Sequence, residues 1–171
     1  MRRIRTESWS GIVTVLLLAS LLTACQSAGQ KKEREYYDSQ FNQYVYGSNC
    51  RQLWPSVKGY FAKDQFRLAD PAGTDKSFLV ESEWKDTSEK LLTDKRRDQI
   101  AVQARDVDGK GCSLEIHHTR EATGPNIHGT ERRKDRATWM ERKLMETIEP
   151  ARYQKIIQEG ARIRTETDGV K

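Results

Sequence analysis

The sequence predicts a single α+β domain, because segments with helical periodicity flank a central region that alternates apolar and polar residues. Between residues 66 and 120 apolar side chains recur at every second position, whereas on both sides they recur at intervals of three and four. N-terminal and C-terminal helices around a small antiparallel sheet of about three strands would form two packed layers. We expect the domain to occupy residues 36–163, between a flexible tether over residues 25–35 and a frayed tail over residues 164–171.

Residues 1–24 have the layout of a secretory signal peptide. Three arginines near the start, Arg2, Arg3 and Arg5, precede an uncharged run of 14 residues from Gly11 to Ala24. A helix that crosses a membrane needs about 20 apolar residues, so this run is too short to span one. We therefore expect residues 1–24 to be removed during secretion.

The segment Leu22-Thr23-Ala24-Cys25 resembles the lipobox of bacterial lipoproteins. The resemblance implies that the Cys25 thiol receives a diacylglyceryl group, that the chain is cut before Cys25, and that the new amino group is often acylated. Each buried acyl CH₂ contributes about 0.8 kcal/mol, so two or three chains would anchor the mature protein to a membrane permanently. The alternative is an ordinary cleavage site that ends in a cysteine.

Gln26 follows the lipobox cysteine, at the position where an aspartate would resemble the inner-membrane retention signal of proteobacterial lipoproteins. The resemblance therefore implies attachment to the cell outer membrane, with the domain facing the periplasm. Inner-membrane and cell-surface attachment are the alternatives, since this sorting rule applies only to bacteria with two membranes.

The mature chain would hold two cysteines besides Cys25. Loss of residues 1–24 removes three Arg and one Glu from the 30 basic and 25 acidic residues, leaving 27 and 24 and a net charge of about +3. Because secretion leads to an oxidising compartment, we expect a disulfide bond between Cys50 and Cys112. Two separate buried thiols are the alternative, and two cysteines do not supply the four ligands of a structural zinc site.

The first predicted helix carries an aromatic stripe. Its residues follow helical spacing and end before Gly47: Tyr37, Phe41, Tyr44 and Val45. The polar residues just upstream are those assigned to the tether. We expect the stripe to pack on the core. A partner-binding or membrane-resting face is the alternative, which makes Tyr37, Phe41 and Tyr44 interaction candidates.

A second helix is predicted from apolar residues on one helical face, Leu53, Val57, Tyr60 and Phe61. Asn49 and Gln52 are spaced like a capping pair. Pro55 would break an interior hydrogen bond, so we expect the helix to start near Trp54-Pro55, with Cys50 in the preceding turn.

Three strands are predicted from period-two patterns over Phe78 to Trp84, Ile100 to Ala104 and Cys112 to Ile116. The second and third form a hairpin. Keeping both apolar sets on one face pairs Ala104 with Cys112, Val102 with Leu114 and Ile100 with Ile116. This register leaves Val107-Asp108-Gly109 as a three-residue loop with Gly109 in the left-handed conformation.

Two helices follow the strands. The first is marked by Ala137, Met140, Leu144 and Ile148 and ends before Pro150, since the residue preceding a proline avoids helical geometry. The second starts at Pro150 and carries Tyr153, Ile156, Ile157 and Ala161. Besides the aromatic stripe, we expect Trp84 and Trp139 to be the other large side chains in the core or at its border.

The three histidines are His117, His118 and His128. Adjacent strand residues face opposite ways, so we expect His118 to continue the inward set and His117 to face solvent. A metal or ligand site that uses these histidines is the alternative to an ordinary polar strand end.

No sequence motif supports catalysis. The chain has no phosphate-binding Gly-Lys-Ser/Thr loop, no Gly-x-Ser-x-Gly elbow, no His-Glu-x-x-His and no dinucleotide glycine pattern. We therefore expect a protein that is not an enzyme and uses no cofactor. Two basic clusters, Lys95 to Arg97 and Arg132 to Arg136, are interrupted or flanked by acidic residues, so no nucleic-acid partner is expected.

The order of elements, a helix, antiparallel strands and a long C-terminal helix over residues 50–161, resembles BamC-like helix-grip accessory lipoproteins of the outer-membrane protein assembly machine. The mature N-terminus lacks that family's long extended segment, and no functional residues are transferred from it. We expect an envelope lipoprotein that binds another envelope protein without catalysis. The alternative is a periplasmic ligand-binding or metal-binding sensor or enzyme that uses the histidine region.

Overall fold

The computed structural model describes residues 27–73, 76–88, 94–125, 127 and 129–169. Its elements in chain order are α1 (Ala28–Asn42), β1 (Val45–Tyr46), α2 (Cys50–Lys63), β2 (Ser77–Glu81), β3 (Lys85–Asp86), β4 (Lys95–Val107), β5 (Gly111–Thr123), β6 (Thr130–Arg136), α3 (Thr138–Ile148) and α4 (Pro150–Gly169). The predicted α+β class is confirmed, but the described residues form six antiparallel strands where about three were predicted. β1 and β3 have two residues each and β6 is exposed throughout, so none of them shows an alternating apolar pattern.

A long hairpin of β4 and β5, with 13 residues in each strand, forms the centre of the sheet. Near its turn β2 pairs with β4 and β1 with β5, while at the other end β3 pairs with β4 and β6 with β5. We call residues 100–107 and 111–116, with β1 and β2, the covered half, because α2 and α3 pack on one of its faces. Residues 95–99 and 117–123, with β3 and β6, form the open half.

The hydrophobic core lies between the covered half and the helices. Its largest fully buried side chains include Val57, Phe61, Ile100, Val102, Ile116, Leu144 and Met145. The predicted disulfide is confirmed, since Cys50 is bonded to Cys112 with the Cα atoms 4.8 Å apart and both residues buried. The Cys50 N–H also donates a hydrogen bond to Asp106 Oδ1 at 2.8 Å, which fixes the start of α2 to the hairpin.

The hairpin register differs by two residues from the predicted one. The observed pairs are Ala104 with Leu114, Val102 with Ile116 and Ile100 with His118. The loop is therefore Asp108-Gly109-Lys110, not Val107-Asp108-Gly109. A shift of two residues leaves every side chain on its original face, so the apolar alternation does not distinguish the two registers.

Gly111 supplies the physical reason for the observed register. Its φ is +124°, and a Cβ atom at this position would lie 1.7 Å from the carbonyl oxygen of Tyr46. Gly111 must therefore stand in the strand where β1 approaches it, because any larger residue would separate the two backbones. Gly109 is left-handed, as predicted, with φ of +68°.

The two tryptophans expected at the core lie elsewhere. Trp139 is 51% exposed. β2 pairs with β4 as far as Glu81 opposite Ala101, and β3 resumes the pairing at Lys85 opposite Asp98. The segment between β2 and β3 therefore has one residue more than the matching segment of β4. One inserted residue reverses the faces of the side chains that follow it, so Trp84 lies on the face away from the helices. Trp54 of α2, which is 3% exposed, belongs to the core instead.

The aromatic stripe is divided between a helix and a strand. α1 ends at Asn42, and Val45 begins β1, so the helical stripe was predicted to run too far. Phe41 is buried in the core, and Tyr37 and Tyr44 pack at its edge.

The start of α2 was predicted too late. The helix begins at Cys50, and Asn49 Oδ1 accepts a hydrogen bond from the Gln52 N–H at 2.9 Å. This cap and the Cys50 disulfide hold the first turn, while Pro55 inside the helix removes only one backbone hydrogen bond.

The predicted tether and the predicted frayed tail are both helical where the structure describes them. α1 begins at Ala28, so only residues 25 and 26 of the expected tether lie outside the described part of the chain. α4 continues to Gly169, beyond the expected end of the domain at residue 163. The physical reason is that these two segments pair with each other, which sequence periodicity did not indicate.

Candidate functional site

In the described part of the chain, no helix packs on either face of the open half of the sheet. All seven residues of the edge strand β6 are exposed, whereas the covered half contributes fully buried side chains to the core. β6 consists almost entirely of charged residues, which discourages pairing of its free edge with another sheet. The open half therefore combines accessibility with a defined arrangement of polar side chains.

Cross-strand pairing sets the side chains on the inner face of the open half. Asp98 on β4 stands opposite Arg120 on β5, which stands opposite Arg133 on β6. In the next row on this face Arg96 and Glu131 flank Ala122. Residues two apart on a strand share a face, so both rows lie on the side that continues from the core.

These rows line a concave cavity of about 450 Å³ beyond the end of the core. Its charged and titratable lining residues are Arg96, Asp98, His118, Arg120, Glu121, Glu131 and Arg133. The Arg133 Nε lies 2.6 Å from Asp135 Oδ2 and is thus paired within its own strand. Among the described residues, the guanidinium groups of Arg96 and Arg120 form no hydrogen bond or ion pair. The cavity therefore offers two arginines whose donors are not used by the described part of the chain.

His118 lies at the boundary between the core and this cavity. Its side chain is 11% exposed, and its Nε2 is buried 3.5 Å from Asp98 Oδ2 with no hydrogen-bond partner in the described chain. The ring packs edge-on against Phe66, with ring centroids 6.5 Å apart. This imidazole faces inward, as predicted.

The other histidines do not join it in the described structure. His117 lies on the opposite face, where its Nε2 is 2.9 Å from Glu115 Oε1. His128 lies outside the described residues. Within the described chain, one group of possible metal ligands converges, Cys50, Asp106 and Cys112, and the disulfide occupies both of its sulfur atoms.

The outer face of the open half brings the two basic clusters of the sequence together. Arg97 of β4 and Arg132 of β6 lie on either side of Glu121 of β5. The Trp84 ring contacts both arginines, with its centroid 4.5 Å from Cζ of Arg97 and 5.5 Å from Cζ of Arg132. Arg97 also forms an ion pair of 2.6 Å with Glu121. These outer charges are thus largely engaged, in contrast to Arg96 and Arg120.

The aromatic interaction candidates are engaged within the molecule. Phe41 is buried, and the Tyr37 hydroxyl donates to the carbonyl oxygen of Ile157 at 3.2 Å. The Tyr44 hydroxyl donates to Glu149 Oε2 at 2.5 Å. Burial raises the pKa of Tyr37 to about 12 and, together with the Glu149 hydrogen bond, raises the pKa of Tyr44 further. Tyr37 and Phe41 thus stabilise the packing of α1, and Tyr44 holds the segment after α1 against Glu149.

The sequence pattern indicated His118 and both basic clusters, but it did not indicate Arg96 and Arg120 as a pair whose guanidinium groups are unengaged in the described chain. Arg96 was grouped with Lys95 and Arg97, although neighbouring strand residues face opposite ways, and Arg120 was not singled out. The two arginines could be paired only from the hairpin register. It brings Arg120 opposite Asp98, and Arg96 lies two residues before Asp98 on β4 and therefore on the same face.

Comparison of the chain with protein families, with curated proteins and with solved structures found no match. Within the described residues, no helix has both the length and the apolar character that a membrane crossing requires. Cys25, the residue of the lipobox resemblance, lies outside the described part of the chain.

Proposed function

We propose that this chain is an outer-membrane lipoprotein, anchored through lipid on Cys25, whose domain binds another envelope protein and does not catalyse a reaction. The observation that carries the binding proposal is the open half of the sheet, with the unused guanidinium groups of Arg96 and Arg120 beside a cavity of about 450 Å³. The lipobox resemblance supports the anchor, and the disulfide suits the oxidising compartment to which a secretory signal leads.

The partner is proposed to present acidic side chains. Arginine guanidinium groups bind carboxylates through two parallel hydrogen bonds, and such charge-assisted bonds are stronger than neutral ones. Arg96 and Arg120 have these donors available, while Asp98 and Glu131 at the same cavity discriminate against a purely anionic surface. An acidic protein segment that also carries hydrogen-bond donors fits this arrangement better than a nucleic acid or a uniform anionic polymer.

A binding role is preferred to catalysis because, among the described residues that line the cavity, no nucleophile is paired with a base. A general base must lie within hydrogen-bond reach of the proton that it removes. His118 Nε2 has no hydrogen-bond partner among the described residues, and its nearest acidic oxygen, on Asp98, is 3.5 Å away.

The test is capture of partners from native membranes by the lipidated protein carrying Arg96→Glu and Arg120→Glu together. Both residues lie on the sheet surface, so the domain should remain folded, which circular dichroism and melting would check. We expect the double variant to lose an envelope protein that wild type retains. The matched control is Lys110→Glu, at the exposed turn of the same hairpin, which should retain it. Equal capture by the double variant and wild type would contradict the proposal.

A second candidate is a sensor that binds a small ligand or a metal at His118, and the buried Nε2, which has no hydrogen-bond partner among the described residues, favours it. Titration with Zn²⁺ while the His118 ring resonances are followed by NMR would test it. Saturable shifts that disappear in His118→Gln would favour the sensor, and unchanged resonances would exclude zinc at this site.

A further inference from the structure

The first turn of α1 is held by the last turns of α4. The Ser27 side chain accepts a hydrogen bond from the Gln30 N–H at 3.1 Å, and the Gln30 side chain accepts one from the Ser27 N–H at 3.0 Å. Asp168 then accepts hydrogen bonds from Ser27 Oγ at 2.8 Å and from the Gly29 N–H at 2.9 Å. Asp168 therefore caps α1 from the other helix, and its negative charge lies where the α1 dipole favours it.

Two glycines let the helices approach each other closely. A Cβ atom on Gly29 would lie 2.6 Å from the backbone oxygen of Arg164 and from the Asp168 carboxylate. A Cβ atom on Gly160 would lie 2.3 Å from the ring of Tyr37. Arg164 also reaches Glu33 across the interface at 3.7 Å. The pairing is thus specific and close along its whole length, although few apolar side chains take part.

This helix pair projects beyond the core. The apolar residues of α1 and α4 that lie in or against the core are Tyr36, Tyr37, Phe41, Tyr153, Ile156 and Ile157. In residues 27–35 and 158–169, the buried residues of the described chain are Gly29 and Gly160, each covered by the opposite helix. We call these two segments the stalk. At 1.5 Å per residue, both segments extend roughly 15 Å past the core.

We propose that the stalk holds the domain upright at a fixed height above the membrane, so that the open half meets partners fixed in or on that membrane. The proposal rests on the lipid anchor at Cys25. Cys25 precedes Ser27 by two residues in the sequence, and two residues span at most about 7 Å. The lipid would thus attach next to the base of a helix pair.

A rigid stalk and a flexible tether present the domain differently. A disordered linker of about ten residues has an end-to-end distance of roughly 17 Å with no preferred direction. The stalk instead keeps the domain about one stalk length from its anchor, which raises the effective concentration of the domain toward a partner held at the matching height. The partner it fits is a membrane-associated protein with an acidic segment, not a freely diffusing one.

The experiment uses the lipidated full chain in a supported bilayer, with the protein density profile measured by neutron reflectometry. Wild type should show a protein layer whose main density is separated from the headgroups by a thin region about 15 Å deep. Gly29→Leu combined with Gly160→Leu should force the helices apart and collapse or broaden that region. The matched control is Gly169→Leu, because a Cβ atom at Gly169 has no neighbour within 4 Å.

Amide hydrogen exchange on the same variants measures the stability of the stalk helices independently of the lipid. Amides of residues 29–35 should exchange at least about tenfold faster in the double glycine variant than in wild type, because isolated short helices are marginal. Core amides on β4 and β5 should be unchanged. Mass spectrometry of the N-terminal peptide reports the lipid on its own, so its absence would refute the anchor without bearing on the stalk. Lipidated wild type with no low-density region, or with fast exchange in residues 29–35, would overturn the stalk.

Discussion

Glu141 joins α3 to the sheet at the boundary between the covered and open halves, so its replacement tests how the open half is held. The residue is 8% exposed, and its Oε1 accepts hydrogen bonds from the Ile116 N–H at 2.9 Å and from Arg136 Nε at 3.0 Å. Its Oε2 accepts another from Arg136 at 3.0 Å. The hydrogen bonds to Glu141 raise the pKa of the Arg136 guanidinium, because they stabilise its charged form.

Glu141→Ala should destabilise the domain by about 3 kcal/mol. The change leaves the Ile116 N–H buried without a partner, which costs about 1–3 kcal/mol, and it removes charge-assisted bonds worth about 1.5–3 kcal/mol. The expected loss of unfolding free energy lies at the low end of the range for breaking a buried ion pair, because the Arg136 side chain is 33% exposed and water can solvate it. Glu141→Gln keeps an acceptor for the Ile116 N–H and should cost only about 1 kcal/mol.

The assay is thermal unfolding with the disulfide intact. For a domain of this size, 1 kcal/mol corresponds to roughly 3–4 °C, so Glu141→Ala should lower Tm by about 10 °C and Glu141→Gln by about 3–4 °C. The matched control is Glu159→Ala, which removes an exposed ion pair with Arg162 on α4 and should leave Tm nearly unchanged. A Glu141→Ala protein that melts within about 2 °C of wild type would refute this account of the boundary.

Four further predictions concern the anchor, the core and the stalk. Cys25→Ala should abolish incorporation of radiolabelled palmitate and release the protein from membranes, and equal labelling in mutant and wild type would show that the lipobox interpretation is wrong. Replacing Cys50 and Cys112 together by alanine should lower the unfolding free energy by about 4 kcal/mol, since the bond closes a loop of 62 residues; a loss below about 1 kcal/mol in urea titration would contradict this. Phe41→Ala should cost about 3–5 kcal/mol because the ring is buried, whereas unchanged melting with loss of a partner would identify the aromatic stripe as an interaction surface. Folding raises the pKa of Tyr37 from 10.0 to about 12, so the stability that its neutral hydroxyl gives the folded domain is fully present below pH 10.0 and is lost as pH rises to about 12. The pH dependence of stalk amide exchange should therefore be weaker in Tyr37→Phe than in wild type.

Strong periodicity predicted the elements that build the core. The alternating residues around Val102 and Leu114 identified the central hairpin, and Pro150 identified the junction of the last two helices. These signals arise because burial on one face imposes a repeat of two or 3.6 residues on the sequence. The disulfide could also be predicted, since the predicted signal peptide points to an oxidising compartment and the sequence holds a single pair of cysteines apart from Cys25.

The elements that were missed carry no such repeat. β6 is exposed on all seven residues, so neither of its faces needs apolar side chains. The position of Trp84 depends on one inserted residue before β3, and a one-residue insertion leaves no trace in composition. In the sequence, the residues of β3 and β6 therefore resemble charged loops between secondary-structure elements.

The stalk and the cavity depend on contacts between distant parts of the chain. Ser27 and Asp168 are 141 residues apart, and nothing in the polar segment after Cys25 indicates that a carboxylate near the other end of the chain caps it. Arg96 and Arg120 share a cavity because of the strand register, which alternation fixes only to within two residues. Such features follow from tertiary packing and not from local propensity.

Site-specific photocrosslinking in native membranes tests the central claim most directly, because it reports which surface of the anchored protein touches a partner. The photoreactive residue is placed at Arg133, which lines the cavity on β6, in one protein and at Lys110 in the hairpin turn in another, both exposed positions at opposite ends of the same sheet. We predict one discrete crosslinked membrane-associated protein from position 133, lost when Arg96→Glu and Arg120→Glu are added, and none from position 110. Crosslinks from position 110 alone, or from position 133 undiminished by the charge reversal, would contradict the proposal that the open half is the binding surface.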